Sequence, residues 1–192
     1  MAYPARLSQD QILTEARSLL EEHGPAGLTM RALARRLGVS APSLYFHVES
    51  REDLTRLLVA EGLTRFGAVQ RAAAAEGSAS ERARGLAKSY IAFAEAERQL
   101  FTLIFGPCSE AAKVDNLLVE EASAPLLQLA MALVGPERAL FFAEGLWSLV
   151  HGYTVLRLAA QFRMNPEHEA GFWYSLDVLL AGAQVAAPGS DR

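Results

Sequence analysis

Between Leu28 and Val48 the sequence reads LTMRALARRLGVSAPSLYFHV, and four residues in it leave few folds open. Thr29 and Ser40 are side chains that accept hydrogen bonds from the unpaired amides of a helix N-terminus. Gly38, between them, suits the left-handed residue that closes a helix, and Pro42 falls in a first turn, where a missing N–H costs little. Met30, Leu33, Ala34 and Leu37 form an apolar stripe at helical spacing, and Ala41, Leu44 and Val48 form a second. The spacing predicts two short helices joined by a Gly-containing turn of three or four residues, a helix-turn-helix arrangement. The same spacing also occurs in ordinary bundles as a plain αα corner. Such a corner has no use for the opposite faces, where Arg31 and Arg35, then Ser43, Tyr45 and His47, point away from the apolar stripes.

Helix signals continue on both sides. Ser8 and Gln11 form a capping box for a first helix whose Ile12, Ala16, Leu19 and Leu20 share a face, and His23-Gly24-Pro25 is expected to end it. A fourth helix is expected from about Ser50, with Glu52 and Asp53 in its first turn, ending around Ala75–Gly77. Ser78 and Glu81 make another capping box, and the helical pattern after it stops at Gly106-Pro107. After the polar stretch SEAAKVD come a helix over Leu117 to Val134, disturbed by Pro125, and a long one over 137–163. Asn165-Pro166 breaks the pattern, and Phe172, Leu176, Leu179, Leu180 and Ala183 mark a last helix before the frayed tail APGSDR. Runs of alternating β-branched residues bounded by turns are absent from the sequence. With 192 residues, 51% of them hydrophobic, the expectation is an all-α chain. A three-helix DNA-binding domain over 1–50 would precede a larger helical domain over 51–192, with the fourth helix as the link.

The net charge of −4 argues against nucleic acid until its distribution is considered. Residues 1–56 hold seven Arg and seven Asp or Glu, so the whole excess of acid lies beyond them. Residues 25–47 hold Arg31, Arg35 and Arg36 and no acid, the local basic face that phosphate contact needs.

Other classes find little support. The single Cys108 can make neither an internal disulfide nor a cysteine zinc cluster. The four His (23, 47, 151 and 168) lack metal-ligand spacing on a shared helix face. The sequence has no Gly-rich phosphate loop, HExxH, EF-hand or GxSxG motif. No enzyme, metal or cofactor is expected. The N-terminus lacks a signal-peptide core, and no uninterrupted apolar run approaches the ~18 residues of a membrane span. A soluble, cytoplasmic protein with no membrane partner is the expectation.

The stretch LTMRALARRLGVSAPSLYFHVESREDL, residues 28–54, resembles the DNA-binding region of the tetracycline-repressor (TetR) family. It carries the Leu-Thr-x-Arg opening, Leu-Gly-Val-Ser at the turn, Pro-Ser-Leu-Tyr-x-His, and then Ser-Arg-Glu-Asp-Leu. The resemblance covers about residues 8–65. LWSLVHG, residues 146–152, is similar to a Trp-x-x-x-His-Gly signature in the regulatory domain of one subgroup. The resemblance implies a homodimer whose recognition helices enter successive major grooves of an operator. It also implies an all-α C-terminal domain that dimerises and holds a small-molecule effector, whose binding would move the fourth helix. Repression is the commoner mode in the family.

Residue roles follow from this frame. Thr29, with its hydroxyl and nearby amides, and Arg31 suit phosphate contacts. Ser40, Ala41 and Ser43 lie at the end of the recognition helix that reaches base edges, where short side chains can bond an edge or touch a thymine methyl. Tyr45 and His47 match family positions that hold phosphates, and Arg51 matches the family's basic phosphate contact at the start of the next helix. Arg35 and Arg36 read as a general basic face. Gly145, Gly152 and Ala159 recur at i, i+7 and i+14. With Phe172, Leu176 and Leu179 they can build a four-helix dimer interface, or pack closely within one subunit. Trp147 and His151, one turn apart, can line an apolar pocket with Tyr90, Phe93, Phe101 and Phe105, which suits a hydrophobic or amphipathic effector. An ordinary aromatic core is the competing reading of that set.

Overall fold

A computed structural model describes residues 7–106, 114–164 and 166–185. Expectations for Pro107, Cys108, the stretch up to Lys113, Asn165 and the tail APGSDR lie outside the described residues. Among those residues the structure is helical, without strands. The helices are α1 (Gln9–Gly27), α2 (Met30–Leu37), α3 (Ala41–Tyr45), α4 (Arg51–Ala73), α5 (Ala79–Ala96), α6 (Arg98–Phe105), α7 (Asn116–Val134), α8 (Pro136–Leu158) and α9 (His168–Val185).

The local signals act as their chemistry requires. Ser8 accepts from the Gln11 amide at 3.2 Å while Gln11 accepts from the Ser8 amide at 3.0 Å. Thr29 Oγ1 accepts from the Ala32 amide at 3.1 Å. At the far end of α2, Gly38 adopts φ 67°, and Gly38 and Val39 donate to the carbonyls of Arg35 and Ala34, the paired bonds of a Schellman ending. Ser50 Oγ accepts from the Asp53 amide at 3.0 Å, and Ser78 and Glu81 complete their box.

Three expectations are adjusted. Gly24 does break α1, at φ 66°, but one more helical turn follows it to Gly27. Pro125 lies inside α7 without ending it; an internal proline frees the carbonyl four residues back, and Arg71 Nη1 lies 3.5 Å from that carbonyl, on Glu121. The helix expected over 137–163 stops at Leu158, because Ala160 turns left-handed at φ 52° and the chain leaves the helix there.

The chain divides into two compact units, Met1–Arg65 with Glu97–Val119, and Phe66–Ala96 with Glu120–Arg192. α4 and α7 each contribute residues to both. In the first unit Ile12, Leu20, Leu33, Leu44, Leu54, Leu58, Leu100 and Ile104 are buried almost completely. α6 has no side-chain cap of its own; the Glu21 carboxylate of α1 instead accepts from the amides of Gln99 at 3.0 Å and Leu100 at 2.9 Å. The second unit buries Leu86, Leu129, Leu146, Val150, Phe172, Leu176 and Leu180. Two helices, Asn116–Val134 and Pro136–Leu158, are long and apolar enough to cross a membrane by length and composition alone, with mean hydropathy 1.5 and 1.2. The core helix of a soluble protein passes the same test.

Candidate functional site

α2 and α3 are held from within by Leu33 and Leu44, both fully buried, and by Met30, Ala34 and Val48. That fixes what faces outward. Thr29, Arg31, Ser40, Ser43, Tyr45 and His47 are exposed and Ala41 is half-buried. Tyr45 keeps 50% of its surface, so its ring lies outside the core. Ser40 Oγ caps α3 by accepting from the Ser43 amide at 3.3 Å, and its oxygen lies 2.7 Å from Ser43 Oγ, so these two hydroxyls work as a pair. Beside Tyr45, Phe46 is 89% exposed. Its sequence signal is an aromatic next to an outward tyrosine and outside both apolar stripes.

The arginines divide three ways. Arg31 and Arg35 are exposed and form no ion pair among the described residues. Arg36 is occupied: its Nε donates to Glu15 at 2.7 Å, and Nη1 and Nη2 donate to the two oxygens of Glu22 at 2.7 Å each. The acid missing from residues 25–47 is brought in by α1, which takes Arg36 out of the general basic face expected of Arg35 and Arg36. Arg51 donates to the backbone carbonyls of Leu28 and Pro25.

The six expected pocket residues fall in both compact units. Phe101 and Phe105 belong to the first unit, with ring centroids 5.3 Å apart. The other four lie in the second unit. Tyr90 Oη is 2.8 Å from His151 Nδ1, and the Trp147 and His151 ring centroids are 5.5 Å apart. Phe66 meets Tyr90 and Phe93 edge-on at 5.5 and 5.3 Å. Burial pushes the Tyr90 hydroxyl well above its usual range and the His151 imidazole below its own. Both groups therefore favour their neutral forms, a polar pair set in aromatic surroundings. One turn beyond Phe66, buried Gln70 donates from Nε2 to the Leu86 carbonyl at 3.3 Å. Its sequence signal is a polar residue on an apolar helix stripe.

The expected interface residues also separate. Phe172 and Leu176 are buried inside the unit, and Tyr153 stacks on Phe172 with centroids 4.3 Å apart. Leu179 is half-buried. Gly145, Gly152 and Ala159 face outward or partly outward, and beyond the local helix backbone a Cβ placed at Gly145 or Gly152 would meet nothing within 4 Å among the described residues. Phe141, Ser148 and Val155 interleave with them at helical spacing, Phe141 being 75% exposed. On α9 the exposed residues at matching spacing are Gly171, Tyr174, Val178 and Gly182. The outward stripe of α9 is therefore built from residues other than Phe172 and Leu176, whose surfaces the chain already covers.

Two family models match successive stretches of the chain. The model of bacterial regulatory proteins of the tetR family matches residues 12–58, and that of the tetracyclin repressor-like C-terminal domain matches residues 83–179. An uncharacterised HTH-type transcriptional regulator of Mycobacterium tuberculosis is 30% identical over 166 residues, which span 82% of this chain and 73% of the relative. A solved Rhodococcus protein of unknown function superimposes with a TM-score of 0.78 at 27% identity, over 94% of this chain and 98% of that one. A TetR protein of Acinetobacter baumannii, solved in complex with minocycline, shares the fold with a TM-score of 0.67 at 22% identity, over 92% of this chain and 96% of that one.

Proposed function

This chain belongs to the tetR family of bacterial regulatory proteins and is a helix-turn-helix transcriptional regulator, and on that premise we propose that it binds an operator as a homodimer and represses until a small hydrophobic or amphipathic effector releases it. Thr29, Arg31, Tyr45 and His47 contact phosphates, which fixes register, while Ser40, Ala41 and Ser43 reach base edges in the major groove. One observation carries this reading above the others: Arg31 and Arg35 stand exposed on the helix-turn-helix with no acidic partner among the described residues. Within an acidic protein, that is charge left available for a polyanion.

The functional boundary falls at about residues 50–51, where α4 begins. The outward stripes of α8 and α9, rich in glycine, form the surface that a second copy covers. Tyr90, Phe93, Trp147 and His151 line the effector site, and the relative solved with minocycline supports a small-molecule ligand. The regulator acts in the cytoplasm on double-stranded DNA, with no catalytic role.

Selection of bound fragments from a random-sequence duplex pool tests the proposal. The expected product is an inverted repeat, mirroring the two-fold symmetry of a dimer, whose affinity falls linearly with the logarithm of salt. A pool that enriches no sequence overturns it.

A further inference from the structure

Arg51 holds the position expected of a phosphate contact, yet its guanidinium is already engaged. Nε–H donates to the Leu28 carbonyl at 2.9 Å, and Nη2–H donates to the Pro25 carbonyl at 2.6 Å. These two nitrogens form one edge of the guanidinium, with parallel N–H bonds, the fork that otherwise grips two oxygens of a phosphate.

The acceptors are as informative as the donor. An α-helix leaves the carbonyls of its last four residues without partners inside the helix. α1 ends at Gly27 with Leu28 as its cap, so Pro25 lies in the turn after the break at Gly24 and Leu28 closes it. The Thr29 amide takes the Gly27 carbonyl at 2.9 Å, and Arg51 takes those of Pro25 and Leu28. α1 has no basic residue in its own last turn, so the cation that a helix C-terminus favours comes from α4. Leu28 immediately precedes Thr29, the cap of α2. The side chain that begins α4 thus fixes where α1 ends and where α2 starts.

We infer that Arg51 is a positioning residue: it sets the start of α2 against the start of α4, and carries any displacement of α4 to Thr29 and Arg31. This rests on the DNA-binding reading above. It assigns Arg51 the joint between the start of α4 and the phosphate-facing end of α2, in place of a phosphate contact of its own.

Charge and shape separate the two roles. Lysine keeps the charge and can meet a phosphate as a point charge, but it has no fork for two carbonyls. Arg51→Lys and Arg51→Gln are both expected to bind a duplex selected by the wild-type protein about tenfold more weakly, equivalent to about 1.4 kcal/mol. The slope of affinity against salt should stay at the wild-type value for both. In the DNA-free protein, the Arg51 Nε–H resonance should be protected from exchange with water, and should remain so when duplex is added.

The inference fails if Arg51→Lys binds like wild type while Arg51→Gln lowers the salt slope by about 0.9, the signature of one lost phosphate contact. It also fails if Arg51 Nε–H exchanges as freely as an exposed arginine in the DNA-free protein. If the wild-type protein binds no duplex, the DNA-binding reading falls, and the Nε–H measurement still decides the clamp. If Arg51→Gln does not fold by circular dichroism, the lysine variant and the Nε–H resonance decide it.

Discussion

The Tyr90 hydroxyl lies 2.8 Å from Nδ1 of His151, joining α5 to α8 through a pair that burial holds neutral. Because the folded pKa of His151 lies below its unfolded value of about 6.5, the unfolded chain binds the extra proton first as pH falls. The stability from this site is therefore complete above about pH 6.5 and is lost as pH drops through the lower folded pKa. Glu22 and Glu81, whose pKa values lie below the usual carboxylate range, act further down the scale. Urea midpoints between pH 8 and pH 5 should fall for the wild-type protein and fall less for His151→Phe. Equal slopes for the two proteins would refute this assignment. Tyr90→Phe, which leaves the imidazole without that partner, should cost about 1–3 kcal/mol at pH 8.

Arg31 and Arg36 sit five residues apart on or near one short helix and should behave differently. Arg36 is gripped by Glu15 and Glu22, whereas Arg31 has no ion pair among the described residues. Mobility-shift titrations over a salt series should show weaker binding for Arg31→Ala, with the slope reduced by about one unit. Arg36→Gln should match wild type in both affinity and slope. A reduced slope for Arg36→Gln would mean that DNA displaces the two glutamates.

The contrast shows what a sequence can express about such a site. Ser8, Thr29, Gly38, Ser40 and Ser78 were legible because each acts on backbone groups within a few residues of itself, so spacing alone carries the information. The acid-free stretch was legible as a stretch, but Arg36 meets Glu22 across fourteen residues of sequence and Arg51 meets Pro25 across twenty-six. Those pairings depend on how α1 lies against its neighbours, which no local pattern states. Phe172 and Leu176 were recognised as apolar, yet an apolar stripe does not say whether its cover is the same chain or another. That is why burial moved the outward face of α9 to Tyr174 and Val178.

The end of α8 was illegible for a definite reason. Ala160 donates to the Arg157 carbonyl and Gln161 to the Leu156 carbonyl, the same paired bonds that close α2. In α2 the left-handed position is Gly38, which announces itself; in α8 it is Ala160 at φ 52°. An L-residue with a Cβ is strained there by about 1–2 kcal/mol, while glycine gives back some of that through backbone entropy. Ala160→Gly should therefore stabilise the protein by about 0.5–1 kcal/mol, read as a rise in thermal midpoint with DNA affinity unchanged. A lower midpoint would mean that the left-handed turn is not populated in solution.

Gly152 offers the sharpest test of the assembly. Beyond its chain neighbours and its own helix backbone, a Cβ there meets no atom of the described residues within 4 Å, so a larger side chain should not disturb the fold. On the proposed dimer face the same side chain would stand where two helices must approach closely, between Ser148 and Val155. Gly152→Leu should keep the circular dichroism and thermal midpoint of the isolated subunit, yet shift sedimentation toward monomer at micromolar concentration. Val178→Asp, which places a charge on the exposed stripe of α9, should do the same. Operator affinity should then fall steeply, because a monomer holds only one half-site. If both variants remain dimeric, the dimer is built on another surface. If both dissociate without loss of operator affinity, dimerisation is not what positions the reading heads.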